Sequence, residues 1–374
     1  MRSTRIVQPI VLAVFVCSTA FGQQPFRVFK KTNATVLDVG RQEKFDSTQA
    51  KYPSILKVGQ SWWMWYNGRT DDRFTGSIGL AISNDGIRWK KQNNGNPVFK
   101  HGKPGTFDST KVDHPAVLRF GGKFHMWYTA GDAGSRYKIG YATSKDGFQW
   151  KRENGGPVFG PGKKGQFDDQ AVLHPAVARD KRGLLHLWYN GVGPQKSFRV
   201  GHATSRNGIH WTRSNQGKPV LSPSKVGPFD EGYVYNVFVM MEGDKFHMWY
   251  SAWVKGERTT GPNHNGIIHA VSRDGDHWLK DSVPTLTNGR PGSIDEYACF
   301  ACYLIQRDHR WWMYYSTATG PGGKFYRVSL AKSHVEKPRD KTRSASRSFR
   351  SRRRETSGPC KKSEFSVGKA EAGG

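Results

Sequence analysis

Apolar residues in this chain gather in short runs rich in aromatic and β-branched side chains, and Gly, Pro, Asn and Asp punctuate the runs. That is the pattern of strands joined by tight turns. The runs fall into register on a repeated pair: Phe45-Asp46, Phe107-Asp108, Phe167-Asp168, Phe229-Asp230 and, as a fifth, Ile294-Asp295, at separations of 62, 60, 62 and 65 residues. Eight residues after each Phe or Ile stand Pro53, Pro115, Pro175, Val237 and Cys302. A second run follows ("SWWMWYNG", "KFHMWYTA", "LLHLWYNG", "KFHMWYSA", "RWWMYYST"), then a third ("IGLAIS", "IGYATS", "VGHATS", "IIHAVS", "YRVSLAKS"). Turns of the type Asn84-Asp85-Gly86 or Arg206-Asn207-Gly208 come next, supplying the positive φ that a hairpin needs. A fourth run opens at Trp89, Trp150, Trp211 and Trp278.

Four antiparallel strands per repeat and five repeats predict an all-β chain, a five-bladed β-propeller. The fifth repeat has no fourth strand after Ser333. "FKKTNATVLDVGRQEKFD" (29–46) parallels "WKKQNNGNPVFKHGKPGTFD" (89–108), so the segment before the first repeat is expected to complete the last blade. Closing the ring in this way removes an exposed sheet edge.

The ends differ in character from this body. Arg2 and Arg5 precede an apolar stretch and a small-residue cleavage site, Ala20-Phe21-Gly22, so residues 1–22 read as a signal peptide. The mature chain is expected to be secreted or periplasmic, without membrane attachment after cleavage. Residues 23–333 form the propeller. Residues 334–374 are a Ser/Arg-rich tail, too polar to bury a core and expected to be disordered.

The formal net charge is +28; without two charges from the leader and seven from the tail, the body keeps +19. Such a surface suits anionic partners, here a sulfated or uronate-bearing oligo- or polysaccharide rather than a specific nucleic acid. The protein is expected to act as a monomer. Cys299 and Cys302 lie in the apolar "ACFACYLI", where strand residues three apart face opposite ways, so they read as buried small side chains rather than a redox pair.

In a propeller the first strand of each blade lines the axis, so residues that differ between blades at its start are the candidates for chemistry. The Asp after Phe recurs in all five repeats and reads as structural. The column of Asp113 holds Lys51, Leu173, Tyr235 and Phe300; the next holds Tyr52, His114, His174, Asn236 and Ala301. Asp169, Glu231 and Glu296 share a third column, and the loops add Arg69, Arg136 and, as a stacking platform for a sugar ring, Trp253. Glycoside cleavage uses one ionised and one protonated carboxyl across a cleft. The pair read from the sequence is Asp113 as base and Glu231 as acid. Lys51, Tyr52, Arg69, His114, Arg136, His174, Tyr235, Asn236 and Trp253 would bind substrate. The sequence calls for no cofactor and no metal ligands, and a bound calcium ion would leave no signature in it.

Phrases such as "VDHPAVLRFGGKFHMWYTA" followed by "KIGYATSKDGFQW" resemble the five-bladed propeller glycosidases, the arabinanase, xylosidase, invertase and mannoside-phosphorylase relatives, over roughly Phe29 to Ser333. The resemblance implies action on glycans through inward carboxylates on the first strands. In those relatives a catalytic Asp stands immediately before the first-strand Pro; here Tyr52, His114 and His174 occupy those places, and Glu231-Gly232 lacks the Pro of the relatives' Glu-Gly-Pro. The expected function is an exported glycoside hydrolase, the alternatives being a non-catalytic carbohydrate-binding propeller and a glycoside phosphorylase whose basic mouth holds phosphate.

Overall fold

The computed structural model describes residues 28–70, 75–134, 137–224, 230–253, 265–319 and 323–333. The expected leader and tail lie outside these residues. β1 (Phe29–Leu37) precedes the repeats. The first repeat gives β2 (Gln49–Val58), β3 (Ser61–Arg69), β4 (Ser77–Ser83) and β5 (Lys90–Lys91). The second gives β6 (Lys111–Phe120), β7 (Lys123–Gly131), β8 (Tyr137–Ser144) and β9 (Lys151–Arg152). The third gives β10 (Ala171–Arg179), β11 (Leu185–Val192), β12 (Phe198–Ser205) and β13 (Thr212–Arg213). The fourth gives β14 (Tyr233–Glu242), β15 (Lys245–Trp253), β16 (Asn265–Ser272) and β17 (Leu279–Lys280), with β18 (Leu286–Thr287) also on β16. The last gives β19 (Ala298–Arg307), β20 (Arg310–Thr319) and β21 (Phe325–Ser333).

Within each repeat consecutive strands pair antiparallel. β1 pairs antiparallel with β21, from Phe29 opposite Ser333 to Leu37 opposite Val328, so the last repeat receives its fourth strand from the N-terminal side. Gln49 of β2 also meets Tyr326 of β21, which joins the first and last sheets. The first strands touch in a cycle: β2 with β6, β6 with β10, β10 with β14, β14 with β19, and β19 with β2.

The repeated Asp explains how each sheet holds itself. Asp46, Asp108, Asp168, Asp230 and Asp295 are buried. Each accepts a hydrogen bond from a second-strand tyrosine: Tyr66 (2.9 Å), Tyr128 (3.0 Å), Tyr189 (2.9 Å), Tyr250 (3.1 Å) and Tyr315 (3.1 Å). Each also pairs with a cation of the fourth strand: Lys91, Arg152, Arg213, Lys280 and, from β1, Lys31. The structural role expected for this Asp column is what is found, and its partners are a phenol and a cation. A buried carboxylate is tolerable only with such partners.

Neighbouring sheets are pinned through the turns. Second-strand Trp65, Trp127 and Trp188 donate their indole N–H to the carbonyls of Gly147, Gly208 and Gly275 in the following repeat. Tyr314 of β20 donates to Gly86 O of the first repeat at 2.8 Å. Each of these Gly residues has a positive φ, which lets the backbone turn its carbonyl toward the neighbour.

Candidate functional site

Each first strand breaks its register at one place, between Lys51 and Ser54, Asp113 and Ala116, Leu173 and Ala176, Tyr235 and Phe238, and Phe300 and Cys302. The residues inside these bulges adopt left-handed backbone: Tyr52 (φ 57°), His114 (45°), His174 (54°), Asn236 (49°) and Ala301 (48°). Non-Gly residues in this region cost ~1–3 kcal/mol each and persist only where their surroundings hold them. Here the freed amide of each is caught by a polar side chain. Tyr52 N donates to Ser316, His174 N to Thr129, Asn236 N to Asn190 and Ala301 N to Ser251, each acceptor lying on the second strand of the preceding sheet. The exception is His114, whose N–H goes to its own neighbour Asp113 Oδ1 at 2.8 Å. Asn67, which stands in the acceptor column for that repeat, keeps a buried Oδ1 without a hydrogen-bond partner.

The bulge changes the parity of the strand. It re-aims the residue before Pro, so the inward column is Tyr52, His114, His174, Asn236 and Ala301, and none of these is a carboxylate. The same shift corrects the expectation for the cysteines. With Ala301 bulged between them, Cys299 and Cys302 pack in one core cluster rather than on opposite faces. Both are free thiols, and burial pushes both up.

At the centre of the mouth the rings of Tyr52, His114 and His174 stack, with centroids 3.4 Å apart for the first pair and 3.8 Å for the second. His114 Nε2 lies 2.8 Å from Asn236 Oδ1, and its Nδ1 is 3.3 Å from Asp113 Oδ1. Burial pushes the ring below the ordinary imidazole value against the pull of Asp113. His174 is half-buried, and burial, with His114 beside it, pushes it well down. Both rings are therefore neutral near pH 7. His174 Nδ1 meets Asn190 Oδ1 at 3.1 Å. Asn190 Nδ2 already donates to Val234 O and Arg199 O, so Oδ1 is the acceptor face and His174 carries its proton on Nδ1. That leaves Nε2 as a lone pair.

Asp113 is buried. Burial alone would raise its carboxyl, but His114, its hydrogen bond, Lys111 and Lys51 outweigh that and hold it below the ordinary carboxylate range. Lys51 is also buried, with its ammonium 4.6 Å from the Tyr52 ring and 4.4 Å from that of Tyr326. Burial brings it down to about 7; Asp113 opposes the shift, and Arg69 and Lys111 add to it. Arg69, at the end of β3, is buried beside them. A wall of aromatic rings continues the mouth. Phe198 lies 6.1 Å from His174, 6.2 Å from Tyr235 and 5.7 Å from Tyr233. Burial raises the phenols of Tyr52, Tyr235 and Tyr326, which keeps them protonated.

The structure thus gathers Lys51, Tyr52, Arg69, Asp113, His114, His174, Tyr235 and Asn236. Asp169 and Glu296, which share the column of Glu231, accept the N–H of Gly165 and Gly292, each at 2.6 Å, and close the turns ahead of β10 and β19. Glu231 is exposed at the corresponding position ahead of β14. Arg136 lies outside the described residues, and of Trp253 only the backbone, ending β15, is described. Lys111 and Tyr326 were missed from sequence. So was the acceptor column Asn67, Thr129, Asn190, Ser251 and Ser316, although a small polar residue after each aromatic pair was its signal. Among the described residues no cluster of His, Cys, Asp or Glu could hold a metal ion.

Below the stacked rings runs a cavity of about 440 Å³, lined by first-strand residues such as Ala176, Val177, Val239 and Ile305. Tyr52, His114, His174 and Asn236 line its upper end and apolar side chains most of its walls, so the polar groups that can match sugar hydroxyls and acidic groups concentrate at the mouth, which is the better candidate site.

No family model matches the chain. An uncharacterized protein of Mycobacterium tuberculosis is 30% identical over 155 residues, 40% of this chain and 48% of its own. A 1,2-beta-oligomannan phosphorylase of Thermoanaerobacter sp. is 27% identical over 154 residues, 39% of this chain and 50% of its own. The chain spans about half the length of these curated relatives. Among solved structures, one from work on the GH130 family of mannoside phosphorylases and glycoside hydrolases superposes with a TM-score of 0.66 at 16% identity, covering 84% of this chain and 95% of that one. A thermostable family-43 glycoside hydrolase gives 0.60 at 18% identity, covering 77% and 90%. The fold is that of the propeller glycosidases.

Proposed function

We propose that the chain is a five-bladed propeller, closed by β1, that binds an anionic oligo- or polysaccharide at the mouth formed by its first strands and cleaves it at a glycosidic bond. The cycle of first-strand contacts and the pairing of Lys31 with Asp295 support the blade count and closure. One observation carries the functional reading: Lys51 and Lys111 face the buried carboxylate of Asp113, and Arg69 lies beside Lys51, within a mouth walled by Tyr52, Tyr235 and Tyr326. Cations there match acidic groups on the glycan, and the rings match the apolar faces of sugars. The relatives and fold neighbours named for phosphorolysis or hydrolysis of glycans agree with this reading. Export through the N-terminal leader belongs to the same proposal.

Asp113 is an ionised carboxylate that balances Lys51 and fixes the His114 bulge. In the hydrolytic form of the reading it would be the base, with Glu231 the acid. The test is release of reducing ends from neutral, sulfated and uronate polysaccharides by the mature protein and by its Asp113→Asn variant. Release confined to anionic polymers and lost in the variant supports the proposal; release from neutral polymers alone sinks the anionic assignment. The lack of any carboxylate among the five bulge residues favours a second reading, a binding propeller without catalysis. Retained binding with no release from any polymer would establish it.

A further inference from the structure

We propose that the mouth cuts a uronate-bearing glycan by β-elimination, with His174 as base, Tyr235 as acid and Lys51 neutralising the uronate carboxylate. This rests on the reading of the mouth as a glycan site. Hydrolysis needs two carboxyls facing the scissile bond. The bulges turn five residues inward, and they are Tyr52, His114, His174, Asn236 and Ala301. What the mouth offers instead is a neutral imidazole, protonated phenols and the amine of Lys51.

A uronic acid makes that set sufficient. The hydrogen on C5 lies next to the carboxylate and becomes acidic once a cation neutralises it, because the charge that develops spreads onto the carboxylate. The glycosidic oxygen on C4 is then a β leaving group. His174 Nε2 takes the C5 hydrogen as a proton. The electron pair left behind forms a C4=C5 double bond, and the C4–O bond breaks. The departing oxygen takes the Tyr235 proton, and the His174 imidazolium returns a proton to the phenolate through solvent. One chain becomes two, no water is consumed, and no oxidant or metal is needed.

The geometry supports each part. The Asn190 bond leaves the lone pair of His174 on Nε2. Tyr235 and His174 both lie against Phe198, with ring centroids 6.2 and 6.1 Å from it, so base and acid flank one wall. Lys51 sits between the rings of Tyr52 and Tyr326, with Arg69 and Lys111 close enough to repel it.

The experiment is digestion of a polyuronate panel, followed by ultraviolet absorbance of the conjugated C4=C5 product and by product mass. The same polymers with their carboxyls reduced to alcohols serve as controls, and binding of uronate oligosaccharides is measured in parallel. The expected result is a chromophore from the native polymer only, with product masses that include no added water. His174→Ala and Tyr235→Phe should each slow it about 10²-fold or more, while the oligosaccharide still binds. Reducing ends with water added and no chromophore would overturn elimination and leave glycosidic cleavage standing. Binding without cleavage of any polyuronate would overturn it in favour of the binding propeller. Absence of binding would overturn both readings. An undiminished chromophore in His174→Ala would overturn the assignment of the base.

Discussion

Lys31→Met tests whether β1 belongs to the last sheet as the other fourth strands belong to theirs. The Lys31 ammonium lies 2.5 Å from Asp295 Oδ2, with the lysine side chain 20% exposed and the carboxylate fully buried. Removing the cation leaves the Asp295 carboxylate with the hydroxyls of Tyr315 and Ser293 and no compensating charge. Breaking a buried pair costs ~3–5 kcal/mol. Because Lys31 still reaches solvent, the lower end applies, about 3 kcal/mol. A body of roughly 300 residues has an unfolding entropy of roughly 0.6 kcal/mol/K, so the melting temperature should fall by about 5 °C. Lys91→Met is the internal standard, because Lys91 and Asp46 make the same pair at 2.6 Å with the same exposures in the first sheet. Lys30→Met, on an exposed neighbour in β1, should change stability by less than ~0.5 kcal/mol. Calorimetry on the three variants decides the matter. If Lys31→Met matches Lys30→Met while Lys91→Met is costly, β1 does not clasp the last sheet in solution and the closure argument fails.

Asn190→Ala should cost about 3 kcal/mol in urea titrations and Asn67→Ala only about 1 kcal/mol. The Asn190 side chain serves His174, Asn236 and Val234, whereas Asn67 makes one 3.5 Å bond to Val112 O; equal costs would refute the clasp at the bulges. The pH dependence of binding follows from Lys51, which burial brings to about 7. The ammonium is present below that value and lost above it, so affinity for an anionic oligosaccharide should weaken between pH 6 and 8. Lys51→Gln should abolish that step in calorimetric titrations, and a step that persists would move the titration to another group. Tyr314→Phe removes the bond to Gly86 O between last and first sheets and should cost about 1 kcal/mol by denaturant titration; no cost would mean that bond is not made in solution.

The repeat made the architecture legible because every sheet needs the same parts: Asp, Tyr and a cation to clasp itself, Trp and Gly to clasp its neighbour. Alignment of Phe29 with Trp89 even places Lys31 where Lys91 stands, and the structure gives both the same job. The bulges were the part that periodicity could not supply. Alternation along a regular strand sends Asp113 and His114 to opposite faces, and one added residue of left-handed backbone brings both to the mouth, side by side. Lys51 stood in a column of unlike residues and was found by that difference. Its unusual state could not be found so, because it comes from rings on β2 and β21 that meet only in the folded chain.

The central claim, that the mouth and not the apolar channel receives an anionic glycan, is tested most directly by titrating the protein calorimetrically with uronate oligosaccharides. Lys51→Gln at the mouth should be compared with Arg179→Gln at the far end of the channel. The account predicts at least a tenfold loss of affinity for Lys51→Gln, about 1.4 kcal/mol, and none for Arg179→Gln. Full affinity in Lys51→Gln, or a loss only in Arg179→Gln, would contradict it.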